Sequence, residues 1–368
     1  MRVAHLTSVH SPFDVRILHK ECRTLAQAGY EVTLVAPHSQ DEAMYGVRIK
    51  AIGKASGRGA RMTRTVMEVY KAALKEDADV YHFHDSELFP VGLMLKAKGK
   101  HVIYDAHEDL PRQLLGKHWI HPRLRRTVSL AVEIFETCAV RFLDGIVAAT
   151  PGIASRFSEK KTVVVQNFPR LEEFGRTVDN PYRTRPPAVV YVGGLAKIRG
   201  IAEVVQAMAL IPKRLDAKLF LAGSFSPEQF EAEVRCMPGW DRVEFLGWQS
   251  RSDVAKLLSQ ARVGLVLFHP LPNHVNAQPN KLFEYMSGGI PVVASDFPLW
   301  REIVSGADCG LLADPLNPQT IAGAVTRLLE HGENAEQMGL RGYRAINEKY
   351  NWGIEEKSLL RFYERLSH

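Results

Sequence analysis

Short apolar runs that stop abruptly at polar or glycine-rich residues recur along this chain, separated by stretches with helical spacing. RVAHLTSV (2–9), EVTLVAP (31–37), DVYHFHD (79–85) and HVIYDAHED (101–109) come first, then GIVAATPGI (145–153) and TVVVQNFP (162–169). AVVYVGGL (188–195), AKLFLAGSF (217–225), RVEFLGWQS (242–250) and ARVGLVLFHP (261–270) repeat the pattern in the second half. Runs this short and this apolar fit strands buried on both faces, and strands alternating with helices build right-handed βαβ units. The expected fold class is therefore α/β with parallel sheets, with ligands gathering beyond the strand ends. A length of 368 residues favours two such domains. The Arg-, Pro- and polar-rich stretch 169–186 reads as the linker between a domain over 1–168 and another over 187–351.

In the first half the loop SVHSPFDVRILHKE (8–21) lacks GxGxxG, which argues against a dinucleotide site. It places His10, Asp14 and Arg16 at the mouth of the expected crevice, ahead of a helix expected over 13–28. His84-Asp85 and His107-Glu108-Asp109 end two neighbouring strands and belong to the same rim. Turn polarity, helix capping and core packing account for such residues equally well one at a time. Two His-containing clusters at adjacent strand ends favour a site.

In the second half the stretch PNKLFEYMSGGIPVVASD (279–296) reads as loop, amphipathic helix, glycine stop and buried strand. Asn280 is the expected N-cap, Leu282, Phe283, Tyr285 and Met286 the packed side, and Gly288-Gly289 the terminator. A helix opening after a loop presents free N–H groups and a positive dipole end, which suits a phosphate. Lys281 adds charge there, and Glu284, one turn on, can accept two hydroxyl hydrogen bonds, as from a ribose. An ordinary αβ unit with a surface Lys and Glu would read the same way. Gly193-Gly194 precede a second helix and allow close backbone approach to phosphate, with Lys197 and Arg199 beside them, and Gly223 forms a comparable turn. The loop LPNHVNAQ (271–278) is long and polar.

Four scattered cysteines without a CxxC or His/Cys cluster imply neither a disulfide framework nor a zinc site. With no signal-like N-terminus and no run of 18 apolar residues, a cytoplasmic location is expected. Net charge is +6, and its excess is confined to one half. The first 170 residues carry 25 Lys and Arg against 18 Asp and Glu, the rest 22 against 23. No nucleic-acid-binding pattern accompanies that charge, so an anionic acceptor or lipid surface is the better partner. Trp119 with Arg123, Arg125 and Arg126, ahead of a long apolar-faced helix, fits either a core helix with a solvated basic start or a segment docking on anionic lipid at the inner face of a membrane.

KLFEYM, the glycine stop, PVVASD and the following REIV (301–304) resemble the nucleotide-sugar-binding signature of glycosyltransferase family 4. YHFHD, YDAHE and HSPFDVRILHKE resemble the acceptor-side clusters of the same family, so the likeness spans nearly the whole chain. The resemblance implies the GT-B fold, two Rossmann-like parallel-sheet domains facing a central cleft, with a C-terminal helix (352–368) crossing back to the first domain. It implies transfer of a sugar from a nucleotide-sugar, UDP being the commonest donor base and GDP its rival, with retention of configuration. No metal or other cofactor is implied, because protein cations take the diphosphate charge. The acceptor implied is a glycan or a polyprenyl-diphosphate-linked sugar. His107 falls at the position beside the donor sugar, the catalytic assignment. Implied donor contacts are Gly193, Gly194, Lys197, Arg199, Gly223, Asn276, Asn280, Lys281, Leu282 and Glu284. Implied acceptor contacts are His10, Asp14, Arg16, His84, Asp85 and Glu108. Two positions depart from the family: Asn276 stands where a sugar-contacting glutamate is usual, and Gly194 where a basic residue is usual. Those departures keep open a nucleotide-sugar 2-epimerase and a non-catalytic sugar-nucleotide-binding partner.

Overall fold

The computed structural model describes residues 1–54, 57, 59, 61–117, 120–174 and 181–366. Trp119 lies outside them. The chain forms two compact units: residues 1–167 with 352–368, and residues 168–351.

The first unit holds an eight-stranded sheet. Its strands are β1 (Arg2–Leu6), β2 (Glu31–Pro37), β3 (Glu42–Met44), β4 (Val47–Ile52), β5 (Val80–Phe83), β6 (His101–Ala106), β7 (Gly145–Ala148) and β8 (Thr162–Val164). They lie in the order β3-β4-β2-β1-β5-β6-β7-β8, all parallel except the β3/β4 hairpin. That hairpin turns on Tyr45 and Gly46, both at positive φ, the pair of left-handed residues a tight twisted hairpin needs. Every residue of β5 and β7, and all but the first of β1 and β6, is buried, which is why these runs read as continuously apolar.

The second unit holds β9 (Ala188–Val192), β10 (Lys218–Ala222), β11 (Val243–Gly247), β12 (Val263–Val266), β13 (Val292–Ser295) and β14 (Gly310–Ala313). Their order is β11-β10-β9-β12-β13-β14, all parallel. In each sheet strand order reverses once, between β1 and β5 and between β9 and β12. Crevices open beyond the carboxyl ends of the strands at such reversals, and ligands bind there.

Several expectations are corrected. The first helix begins at Ile17 and not at 13, as a π-helical turn Ile17–Cys22 that runs into the α-helix Arg23–Gln27. The stretch expected to be a linker contributes to the second core: Phe174 and Tyr182 are buried there, and the Tyr182 hydroxyl donates to the Arg262 carbonyl (2.8 Å). The polar loop 271–278 contains a helical turn, Pro272–Val275. The helix Trp352–Leu366 belongs to the first unit's core through Trp352, Leu359, Phe362 and Tyr363. Burying four such side chains contributes roughly 1.5–3 kcal/mol each.

Candidate functional site

In the second unit the sheet reversal brings together Gly193-Gly194 after β9, the end of β12, and the helix Asn280–Ser287. Leu282, Phe283, Tyr285 and Met286 anchor that helix in the core, and the Tyr285 hydroxyl accepts the Val192 N–H (2.8 Å), tying the helix to the end of β9. Pro279, not Asn280, is the residue before its first turn; Asn280 is exposed at the first helical position and its side chain caps nothing. The Asn280 expectation failed because the proline already fixes the extended entry.

Lys281 is the unusual residue. It is 7% exposed, and its ammonium has no hydrogen-bond acceptor among the described residues. Nζ sits 3.5 Å from the centre of the Tyr191 ring and 5.5 Å from that of Phe268. Burial first, and the Arg199 charge second, push its pKa well below the ordinary lysine value, with Glu284 opposing. The Arg199 guanidinium lies over Phe268 at 5.3 Å. A Cβ added at Gly193, whose φ is +122°, would lie 3.2 Å from Lys281 Nζ. Gly223 (φ +147°) packs so tightly that a Cβ there would lie 2.0 Å from the Gly193 carbonyl oxygen. Two loops and two cations therefore converge on one spot. Lys197 and Gly194 are exposed at its edge.

Glu284 is only 12% exposed at its side chain and is held by Arg251 Nη1 at 2.7 Å. The other Arg251 amino group contacts Glu173, and its guanidinium lies 4.7 Å over Phe174. Sequence reading overlooked Arg251 and Glu173, which lie 33 residues before Glu284 and 78 before Arg251 in the chain. No local pattern marks them. Asn276 is exposed.

In the first unit the reversal gathers a histidine-rich cluster under the ends of β1, β5 and β6. Asp105, fully buried, accepts from Arg16 Nη2 (2.9 Å), Arg16 Nε (3.0 Å), His84 Nδ1 (3.1 Å) and His107 Nε2 (3.0 Å). Arg16 Nη1 donates to the Val165 carbonyl (2.7 Å), and Arg16 Nε also lies 3.0 Å from Glu21. Burial opposes ionisation of Asp105, but Arg16 and the two imidazoles outweigh it and hold the carboxyl well below its usual range. Glu21 moves the other way, raised by burial and by Asp105. His84 is pushed down to about 4, chiefly by burial.

This corrects three acceptor-side expectations. Arg16 is 4% exposed and its guanidinium is committed to Asp105, Glu21 and Val165, so it offers no face to an acceptor. His84 is buried beneath His107. Asp85 is buried too: its Oδ2 accepts from Thr7 Oγ1 (2.7 Å) and the Ser8 N–H (2.6 Å), so it clamps the loop after β1. His10 and Asp14 remain about 30% exposed at their side chains and lie 3.5 Å apart. Asp14 also caps the first helix through the N–H groups of Arg16 (2.9 Å) and Ile17 (3.0 Å). Burial works against protonation of His10, but Asp14 and Asp85 prevail and raise its pKa. Glu108 is exposed and paired with Gln113, and His107 is half-buried.

Two groups have a donor set that can hold a metal: His5, Glu21, His82 and His84, and His84, Asp105 and His107, with ligand atoms within 4.8 Å of one another. In the first, His5 Nδ1 and His84 Nε2 stand 2.8 Å apart. Two ligands on a tetrahedral zinc with bonds of about 2.0–2.1 Å are separated by about 3.3 Å. The geometry is that of a hydrogen bond.

Residues 15–173 match the family model "Glycosyltransferase Family 4" and residues 186–331 match "Glycosyl transferases group 1". An uncharacterised glycosyltransferase of Methanocaldococcus jannaschii is 29% identical over 48% of this chain and 44% of its own. The phosphatidyl-myo-inositol mannosyltransferase of Mycolicibacterium smegmatis is 23% identical over 93% of this chain and 87% of its own. The chain thus spans less than half of the first relative but most of the other. Among solved structures, sucrose-phosphate synthase of Thermosynechococcus elongatus superposes with a TM-score of 0.81 at 20% identity, covering 99% of this chain and 98% of that one. The Anabaena HepE protein, solved with UDP and glucose, gives 0.75 at 14% identity, covering 100% and 99%. These likenesses fix the two-unit GT-B fold.

Proposed function

The chain belongs to the family 4, group 1 glycosyltransferases, and on that premise we propose that it moves a sugar from a nucleotide-sugar to an acceptor. Lys281 carries this reading. A buried cation without an acceptor costs free energy in the empty protein, and a diphosphate placed beside Lys281, Arg199 and the helix N-terminus removes that cost. The same groups stabilise the charge that gathers on the departing nucleoside diphosphate, where preorganised charge contributes most to rate. No metal is required for that role. Glu284 takes the ribose hydroxyls, exchanging its Arg251 contact for them or sharing it. The HepE protein, solved with UDP and glucose, makes UDP the donor to try first, and in this reading transfer proceeds with retention. His107, His10, Asp14 and Glu108 form the acceptor side.

The acceptor is lipid-linked in this reading. Leu124, Leu130, Ile134, Phe135 and Phe142, on and beside the helix Arg125–Ala139, are 51–66% exposed, and Arg123, Arg126 and Arg141 are exposed among them. An apolar face with arginines at its margin suits an anionic bilayer surface. No helix among the described residues is long and apolar enough to cross a membrane. Flotation with anionic vesicles that exceeds flotation with neutral ones, and falls on Arg123→Ala/Arg126→Ala, supports this; equal binding to both removes it.

The test of activity is to incubate the protein with UDP-, GDP-, ADP- and TDP-sugars and follow nucleotide release and the anomer formed by NMR. Slow hydrolysis of one donor, insensitive to EDTA and retaining its anomeric configuration, is expected. A 2-epimer formed without acceptor would replace transfer by isomerisation, and no turnover of any donor would leave a binding protein.

A further inference from the structure

We propose that Asp105 is a positioning residue that locks His107 in one neutral tautomer, with Nε2–H turned inward and Nδ1 left as an acceptor for a substrate hydroxyl. The inference rests on the reading of His107 as a site residue. It comes from placing protons in the cluster beneath it so that Asp105 meets only donors.

An ionised carboxylate accepts and does not donate. Asp105 is fully buried, carries both prongs of the Arg16 fork, and lies 3.1 Å from His84 Nδ1 and 3.0 Å from His107 Nε2. A lone pair on either nitrogen at that distance would face the carboxylate charge across a dry interior. Both nitrogens therefore carry hydrogen. For neutral His84 this leaves Nε2 bare, and it accepts from His5 Nδ1–H at 2.8 Å. His5 Nε2 is then bare and faces the Tyr363 hydroxyl at 3.4 Å. That hydroxyl accepts from His82 Nδ1–H at 2.8 Å. Donation thus runs in one direction, from Tyr363 through His5 and His84 to Asp105; His84 Nδ1 and His107 Nε2, 3.0 Å apart, both aim at the same Asp105 oxygen, and the buried His82 Nε2 has no hydrogen-bond partner among the described residues.

The chain has a purpose only at its far end. His5, His82 and His84 are at most 4% exposed, whereas the His107 side chain is 16% exposed. His107 Nε2 is spent on Asp105, and Nδ1 has no hydrogen-bond partner among the described residues. Arg16 keeps the carboxylate charged, and it is that charge which favours hydrogen on His107 Nε2. The C-terminal helix joins the first unit's chemistry by supplying Tyr363. A bare Nδ1 accepts from a hydroxyl and disfavours a substrate in which that hydroxyl is replaced by hydrogen, since the acceptor is then left unpaired.

Histidine-selective ¹⁵N NMR of the full-length protein tests this directly, with His107 assigned by the signal lost in His107→Gln. The wild-type spectrum is expected to show a pyrrole-type Nε2 and a pyridine-type Nδ1 for this ring. In Asp105→Asn the amide can turn its NH₂ to the ring, so the tautomer mixes or reverses. Donor hydrolysis should then fall on the order of 10²-fold or more in kcat with KM little changed, as expected when a ring is held in the wrong tautomer. A wild-type ring protonated on Nδ1 overturns the proposal even where Asp105→Asn does not fold, as does a stoichiometric transition metal in the purified protein. The expected tautomer in a protein that turns over no nucleotide-sugar leaves this proposal standing and removes the proposed function instead.

Discussion

Replacing Arg16 by Met removes a cation of similar length from the centre of the first unit and leaves its partners in place. The guanidinium gives two hydrogen bonds to Asp105, one to the Val165 carbonyl, and an ion pair to Glu21, at 4% exposure. Removing one partner of a buried pair costs about 3–5 kcal/mol, because the remaining charge stays buried. An orphaned carbonyl adds about 1–3 kcal/mol. Asp105 keeps two imidazole N–H groups, so the lower ends apply, about 4 kcal/mol in all. For a unit of this size that is a fall of about 8–16 °C in Tm. Arg16→Lys keeps the charge but loses the fork, and falls between. Because two units need not unfold together, the assay is hydrogen exchange by mass spectrometry, read at the amides of β1 and β6, beside a thermal scan. Combining Arg16→Met with Asp105→Asn should recover at least about 1 kcal/mol of the summed losses, as residues sharing one network do. A Tm within about 2 °C of wild type, or strictly additive losses, would falsify the assignment of Arg16 to a buried scaffold and return it to the acceptor surface.

Lys281→Met should leave the empty protein as stable as wild type or raise its Tm, because it replaces a buried, unmatched ammonium by an apolar chain, while abolishing nucleotide-induced stabilisation. Loss of stability with ligand response intact would contradict this. The lowered Lys281 pKa also has a signed consequence: burial and the Arg199 charge make its ammonium easier to deprotonate, and a bound diphosphate raises that pKa again. Nucleotide binding should therefore take up protons, increasingly as pH rises, which titration calorimetry in buffers of different ionisation enthalpy measures; proton release would be the wrong sign. Gly223→Ala should cost about 3 kcal/mol or more, since a Cβ there meets the Gly193 carbonyl at a positive φ, and a near-wild-type urea midpoint would show that the two loops are looser than described.

The strands were legible because apolar runs buried on both faces leave a strong local signal, and both sheet reversals fall where the polar clusters end those runs. The residues that the second unit gathers at its sheet reversal were legible for the same reason: Lys281 and Glu284 share one helix, and Gly193-Gly194 adjoin one strand. What escaped depends on residues far apart in sequence. Arg16 reads as a loop cation until Asp105, 89 positions later, is placed beside it. Tyr363 meets His5 across 358 positions, and Arg251 reaches Glu284 from another helix. Asn280 was misread as a cap for a local reason, since Pro279 fixes the entry to the helix without a side-chain oxygen. Trp119, which fits either a core helix or a lipid-docking segment, lies outside the described residues, whereas the apolar face beyond it rests on Leu130, Ile134 and Phe135.

The central claim is that the second unit holds a nucleotide-sugar through Lys281, Arg199 and Glu284. Its most direct test is equilibrium binding of UDP-sugars, by calorimetry and thermal shift, to wild type and to Glu284→Ala. At a ligand concentration of about 100 Kd the bound state gains about 2.7 kcal/mol. The account predicts such a shift for wild type with one nucleotide-sugar, and its loss in a Glu284→Ala protein that remains folded. An equal shift in both proteins, or none in wild type with any nucleotide-sugar, would contradict it.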